Sequence, residues 1–370
     1  MGVLDFVFYS FIAIVIIQAL IYLFLFGRFA FLKSKKETQK NIALSVIICA
    51  KNEAENLKAF LPSILEQDYP DFEVVLINDS SSDNTLEVIQ DFSKLYSHIK
   101  VVDVKNIEAF WGNKKYALTL GIKASKNDYL LFTDADCKPV SKDWIKNMSS
   151  YFSNEKSIVL GYGAYSKIKS SFLNKLIRFE TLLTAINYFS FAKLGLPYMG
   201  VGRNLAYTKK EFFDANGFIN HIKVRSGDDD LFINQIATSK NTAICFTKDS
   251  FTESVPKTTY KDWFKQKRRH VSTAKHYKTK HKIILGLLYI SNFMFWLLAL
   301  ILFTILYNWH IVLGIFLFRI IIQYIIIGFS SKKLGETDLL ILLPFLEIFL
   351  IITQLTIFIN NLISKPNHWK

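Results

Sequence analysis

Four apolar runs decide most of what this chain of 370 residues can fold into. Residues 3–26, VLDFVFYSFIAIVIIQALIYLFLF, carry one charge, Asp5, and are long enough to cross a hydrocarbon core of about 30 Å. No basic residue precedes the run and no small-residue cleavage site follows it, so residues 1–30 are read as a retained anchor and not as a signal peptide. Residues 283–307 and 309–329 meet at Asn308 and read as a helical hairpin, and 338–363 forms a further span interrupted by Pro344. Arg28, Lys33, Lys35 and Lys36 follow the first span, and Lys332 and Lys333 lie between the last two. With both basic loops in the cytoplasm, the N-terminus and the turn near Trp309 fall outside.

Residues 42–282 then form one cytoplasmic domain of about 240 residues, enough to build its own core. Cys49, Cys137 and Cys245 are too few and too scattered for a disulfide framework or a zinc site. The net charge of +14 does not point to nucleic acid, because the basic residues collect beside the apolar runs. Segment 261–282, KDWFKQKRRHVSTAKHYKTKHK, holds nine Lys or Arg against one Asp and leads straight into a span. That placement suits anionic lipid head groups, or a phosphate-bearing ligand at the bilayer surface.

After residue 41 the period changes. ALSVIICA (43–50), FEVVLIND (72–79) and IKVVDV (99–104) are short apolar runs, while 56–67 and 84–95 have helical spacing. Strands alternating with helices predict an α/β domain with a mostly parallel sheet, whose ligands bind beyond the C-terminal strand ends. Lys51, Asn52 and Glu53 follow the first strand, and Asn78, Asp79 and Ser80 end the second. Turn and cap chemistry would explain the same residue types.

WGNKKYALTLGIKAS (111–125) opens with Gly112 and two lysines before a helix, and YLLFTDADC (129–137) reads as a strand ending in two aspartates. Strand geometry sends positions i and i+2 to one face, which would place Asp134 and Asp136 side by side. Carboxylates that close repel unless a cation lies near. A hard divalent ion such as Mg²⁺ or Mn²⁺ takes oxygen ligands and completes its shell with water and substrate phosphates.

SVIICAKNEAENL, VVLINDSSSDNT, NKKYALTLGI and FTDADC, in that order and at those separations, resemble the GT-A nucleotide-sugar domain of the family 2 glycosyltransferases. The resemblance runs from about residue 44 to residue 275, and the spans suit membrane-integrated members. It implies a nucleotide-binding half (42–139) in which Ala50, Asn52 and Glu53 line the nucleoside pocket and Asp79 hydrogen-bonds the base. Lys114 would approach the diphosphate or the base. Asp134 would sit near the ribose or metal-bound water, with Asp136 as the direct ligand of a divalent metal, Mg²⁺ or Mn²⁺.

The acceptor half (140–282) is looser. GVGRNLAY would lie beneath the donor sugar, making Gly202, Arg203 and Asn204 expected contacts; a plain loop is the alternative. RSGDDDLFINQIA (225–237) sets three aspartates before an amphipathic helix. At least one should cap that helix, and one is left as the base that takes a proton from the acceptor hydroxyl. The family usually carries Glu-Asp here. Aligning on Leu231 puts Asp228 at the base position and Gly227 where Glu is expected, with Asp229 as the other candidate. QKRRH (266–270) resembles the QxxRW signature of membrane synthases, with Gln266 and Arg269 in place and His270 where Trp is usual. An Arg there can bind a leaving diphosphate bidentately. Helix 170–195 would either lie along the membrane interface or pack on the domain core.

The resemblance implies an inverting, metal-dependent transfer from a UDP- or GDP-sugar to a lipid or lipid-linked glycan acceptor, with a multi-pass bacterial inner-membrane protein holding its catalytic domain in the cytoplasm. A processive polysaccharide synthase and a non-enzymatic nucleotide-binding platform are the competing readings.

Overall fold

The computed structural model describes residues 2–34, 40–105, 114–224 and 226–364; Lys35, Lys36 and Gly112, named above, lie outside the described residues. The chain opens with helix α1 (Val3–Ala30), which contains a π-helical turn at Ile21–Phe26. A βα repeat follows: β1 (Leu44–Ala50), α2 (Ala54–Leu65), β2 (Phe72–Asp79), α3 (Thr85–Leu95), β3 (Ile99–Val104), α4 (Lys114–Ala124) and β4 (Tyr129–Phe132). β1 pairs in parallel with β2 and β4, and β2 with β3. Alternate residues feed opposite faces, as the twofold period of a strand requires. Leu44, Val46 and Ile48 join one hydrophobic cluster, and Ile47, Val75 and Ile77 join the other. Gly121 of α4 lies so close to β2 that a Cβ there would sit 2.2 Å from Ile77.

Short strands complete the architecture: β5 (Cys137–Pro139), β6 (Ile158–Leu160), β7 (Gly163–Tyr165), β8 (Leu205–Thr208), β9 (Thr242–Ile244) and β10 (Thr252–Ser254). The main sheet has the order β3-β2-β1-β4-β8-β6-β9, with β8 antiparallel to both its neighbours; β5, β10 and β7 form a second sheet. The chain leaves β1 toward β2 and β3 on one side and returns to β4 on the other. The crevice between the C-terminal ends of β1 and β4 is therefore where this topology opens a ligand site.

One expectation fails here. The strand does not run through the aspartates: β4 stops at Phe132, and Cys137 N–H donates to the Asp134 carbonyl at 3.1 Å, closing a turn. The two carboxylates meet because the backbone turns, and strand alternation plays no part.

Helix α5 (Phe172–Leu194) follows β7, capped by Ser171 and ended by Gly195 at φ +85°. Of the two readings of this segment, packing on the core describes it. Leu176, Leu182, Ile186 and Phe189 lie in one cluster with Tyr22 and Phe29 of α1 and with residues further along the chain. Helices α6 (Asp230–Ile236) and α7 (Tyr260–Val271) lead to α8 (Thr279–Thr304), α9 (Trp309–Leu334) and α10 (Leu343–Ile363). Counting a 3₁₀ stretch before α10 as part of the last, four helices among the described residues are long and apolar enough to cross a membrane. Pro344 does not interrupt the last one. It stands at the start of α10, where a missing N–H costs no helical bond.

The apolar-run reading leaves Arg319 and Glu347 unexplained. Both are buried, with Arg319 Nη2 2.9 Å from Glu347 Oε1, and Gln18, Gln323 and Trp296 complete the hydrogen bonding. Arg178 of α5 is likewise buried, against Glu336 and Asp338 in the α9–α10 connection. The apolar helices are thus fastened to the sheet domain through α5.

Candidate active site

At the crevice between β1 and β4, Lys114 at the start of α4 reaches two acids from different parts of the chain. Its Nζ is 2.8 Å from Asp134 and 3.1 Å from Asp228. Burial disfavours its charge, but Asp134 and Asp228 outweigh that and hold its pKa well above the usual lysine value. Asp228 responds in kind: burial pushes its pKa up, Lys114 pulls it down further, and the carboxylate stays ionised. The same pocket is lined by Asp229, Gly202, Thr133, Cys49 and Tyr207. Five of the residues expected from the sequence, Lys114, Asp134, Gly202, Asp228 and Asp229, therefore share one pocket.

The three consecutive aspartates have three different attachments. Asp229 is the cap of α6. It accepts from Asp230 N–H and from Gly202 N–H, each at 2.7 Å. Burial, helped by Asp228 and Asp230, raises its pKa to about 7. Asp230 is buried and accepts from the hydroxyls of Thr273 and Tyr277 and from Leu231 N–H. Asp228 is left facing Lys114. Gly227, where Glu was expected, has φ +95°, and a Cβ there would come within 2.5 Å of Leu231. The backbone at this position admits glycine alone.

Asp134, Asp136 and Cys137 bring their ligand atoms within 4.8 Å of one another. Asp136 fits a cation: burial raises its pKa, and Asp134 and Glu53 add like charge that Arg203 only partly offsets. A divalent ion would relieve that repulsion. Cys137 suits it less, because burial holds the thiol protonated and a hard cation prefers oxygen. Its S–H donates to Asp136 Oδ1 at 3.5 Å.

The remaining expected residues divide. Asn52, at φ +55°, accepts from Ser82 N–H at 2.8 Å while its own N–H donates to Ser81. Glu53 N–H donates to Thr85. These bonds, with Ala50 at the end of β1, join the two strand-end loops into one rim. Asp79 is buried at the end of β2, and burial pushes its pKa up against the pull of Lys51 and Lys114.

Arg203 and Asn204 do not extend into this pocket. Arg203 donates to the Ala164 carbonyl and to Ser254 Oγ, and stacks 4.1 Å from the centre of the Tyr165 ring, so it ties the second sheet to the first. Asn204 is fully buried, accepting from Trp144 Nε1 and donating to the carbonyls of Tyr162 and Ser250. Its burial and these three bonds keep it from reaching a sugar. Gln266 and Arg269 are half-buried on α7, two turns and one turn before Thr273, and are not among the described residues lining the pocket. The neighbouring basic residues are structural. Arg268 binds Asn361 and Ser364 at the end of α10, and Lys267 pairs with Glu180 of α5.

Sequence reasoning missed Lys115. It is almost wholly buried, and its ammonium donates to the carbonyls of His221, Val224 and Ser226, holding the loop that delivers Asp228. The doubled lysine was the available signal: adjacent positions on a helix point about 100° apart, so two lysines cannot serve one partner. Tyr277 was hidden inside a basic stretch whose charge drew attention to lipid.

The model named Glycosyl transferase family 2 matches residues 45–216, and that named Glycosyl transferase family group 2 matches residues 138–352. The chain is 40% identical over 102 residues to a poly-β-1,6-N-acetyl-D-glucosamine synthase of Staphylococcus epidermidis, covering 28% of this chain and 24% of that one. It is 33% identical over 93 residues to a cholesterol galactosyltransferase of Borreliella burgdorferi, covering 25% of each. The matches thus span about a quarter of these curated relatives. Among solved structures, a mannosyltransferase from Pyrobaculum calidifontis, in complex with GDP-Man and Mn²⁺, superposes with a TM-score of 0.59 at 18% identity, covering 90% of this chain and 99% of that one. This likeness extends to the fold, a GT-A-like mixed sheet accompanied by apolar helices. Since the second family model alone takes in more than half of the residues, and crosses from the sheet domain into the apolar helices, the chain belongs to glycosyl transferase family 2.

Proposed function

We propose that this chain is an inverting, metal-dependent glycosyltransferase that moves one sugar from a UDP- or GDP-sugar to a lipid or lipid-linked glycan acceptor. It would work at the cytoplasmic face of a bacterial inner membrane, with the four apolar helices spanning the bilayer. The observation that carries this reading is the Lys114 bridge, which joins an acid of the donor half to an acid of the reaction half in one pocket.

In this reading the donor's nucleoside lies along the rim formed by Ala50, Asn52, Glu53 and Asp79. Asp136, assisted by Asp134, would hold Mg²⁺ or Mn²⁺, which supplies neutralisation of the diphosphate's charge when bound. Asp228 accepts the proton of the acceptor hydroxyl as its oxygen bonds to the anomeric carbon. The bond from that carbon to the diphosphate breaks on the opposite face, and the diphosphate departs with the electron pair. Lys114 keeps Asp228 ionised for that task. Arg269, on the helix that leads to Thr273, is proposed to bind the departing diphosphate. A lipid acceptor is supported by the apolar helices and by one relative's name, cholesterol galactosyltransferase.

The test is release of nucleoside diphosphate by the full chain in detergent, across a panel of UDP- and GDP-sugars, with Mn²⁺ or with chelator. Release with one donor class, lost on chelation, is the expected result. No release with any donor overturns the reading.

A further inference from the structure

Lys114 and Lys115 stand side by side at the start of α4, and their hydrogen-bond partners differ in kind. Lys115 donates to three backbone carbonyls, which hold a loop in place. Lys114 holds two carboxylates to which the transfer reading gives work. Asp134, at 2.8 Å, stands beside the proposed metal ligand Asp136, and Asp228, at 3.1 Å, is the proposed base.

We propose that Lys114 is an internal counter-ion that competes with the divalent metal for Asp134, so that the ion is taken up tightly only together with a nucleoside diphosphate. The proposal rests on the metal-dependent transfer reading and adds to it the way in which the site fills.

The shared carboxylate is the first argument. Asp134 belongs to the group whose ligand atoms lie within 4.8 Å of one another, and its Oδ1 accepts from the Lys114 ammonium. An ion of the size of Mg²⁺ bonds a carboxylate oxygen at about 2.1 Å. Bound through Oδ1, it would stand no more than about 5 Å from the ammonium nitrogen. Bound through the other oxygen, it would still share one carboxylate with a full positive charge. Among partly buried side chains such repulsion is screened far less than in water.

Charge balance is the second. Lys114 neutralises Asp134 and Asp228 together, so both acids are paired before any ion arrives. Asp136 feels the like charge of Asp134 and Glu53, and Arg203 offsets it in part. A metal arriving alone therefore has to draw Asp134 away from an ammonium. A nucleoside diphosphate changes the balance, because its phosphate oxygens complete the ion's shell and offer the ammonium a replacement for Asp134.

Space is the third. The pocket lined by Lys114, Asp134, Asp228 and Asp229 has a volume of about 20 Å³, room for about one water. Sites for small ligands enclose about 300 Å³ or more. Lys114 bridges the two sides of this pocket, and the bridge has to open on one side before a sugar diphosphate fits. The transfer reading retains the pair with Asp228, which leaves the pair with Asp134 to open.

The test titrates Mn²⁺ into the full chain in detergent, with and without UDP or GDP, and reads the free ion by electron paramagnetic resonance. In the unaltered chain one of the nucleotides should tighten Mn²⁺ binding about tenfold or more. Lys114→Met should tighten binding of Mn²⁺ alone about tenfold or more, and the gain from nucleotide should shrink by a similar factor. Lys114→Arg keeps the charge and should bind as the unaltered chain does. Lys115→Met, which removes the adjacent ammonium held by carbonyls, should leave binding of Mn²⁺ alone unchanged. Lys114→Gln decides the matter if Lys114→Met fails to fold. Equal binding of Mn²⁺ alone by the unaltered chain and the neutral Lys114 variants overturns the proposal. Equal tightening in Lys115→Met, or no Mn²⁺ binding under any condition, overturns it too. Sugar-nucleotide cleavage by the unaltered chain is measured separately. Its absence overturns the transfer reading, while the titrations still decide what Lys114 does.

Discussion

The two halves of the pocket are built by different means. On the donor side, β1, β2 and β4 run parallel, and their C-terminal ends carry Ala50, Asp79 and the Asp134–Asp136 turn to one edge, so the backbone does the positioning. On the reaction side, the loop before α6 has no strand to guide it. Lys115 holds its carbonyls, Gly202 N–H binds Asp229, and Thr273 and Tyr277 bind Asp230. A regular sheet tolerates the loss of one side chain, whereas a loop fastened by individual side chains is only as well placed as each attachment.

This contrast predicts where substitutions act. The largest effect is expected at Asp228. Asp228→Asn should lower kcat/KM about 1,000-fold, the scale of losing a general base. The pH profile discriminates between the neighbouring acids. With Asp228 as base, held ionised by Lys114, kcat/KM stays flat from about pH 6 to about pH 8. With Asp229 as base, whose raised pKa of about 7 leaves it protonated below that pH, activity would climb as pH rises through 7. Such a rising limb, together with a small effect of Asp228→Asn, would transfer the role.

Next comes the donor side. Asp136→Asn should cost about 100-fold or more in turnover and abolish stimulation by Mn²⁺, measured by titrating the metal. Full stimulation in that variant would remove Asp136 from the metal site.

Lys115→Met separates the halves most cleanly. Losing a charge-assisted donor to three carbonyls should destabilise the chain by about 3 kcal/mol in thermal unfolding. It should also lower turnover about tenfold through a displaced Asp228, while calorimetric affinity for the nucleoside diphosphate stays unchanged. Equal losses in turnover and nucleotide affinity would mean that the two halves are not held independently. Smallest is Tyr277→Phe. Asp230 keeps Thr273 and Leu231 N–H, so the cost should be about 1 kcal/mol, readable as a small drop in thermal midpoint.

What could be read from residues in order follows the same division. The βα repeat and the strand-end motifs were legible because they rest on short-range periodicity and turn chemistry. The pairing of Asp134 with Asp136 was reached by the wrong route, since β4 ends two residues before the first of them. Arg203 and Asn204 looked like ligand contacts because polar residues beside glycines suggest a loop over a substrate. Their burial depends on Trp144, Tyr162 and Ser254, which lie tens of residues away. Pro344 looked like a break and is a beginning, because the apolar run conceals the 3₁₀ segment before it.

By itself the sequence determined the long apolar helices and a mostly parallel α/β core, since hydrophobic period and run length act locally and survive without knowledge of partners. Only the tertiary structure decided which aspartate faces Lys114 and which arginine is locked between sheets. Those outcomes depend on groups far apart in the chain meeting in space, as in Lys114 with Asp228 and Asp230 with Tyr277. No local pattern encodes such meetings, because each is settled by the summed packing of everything between.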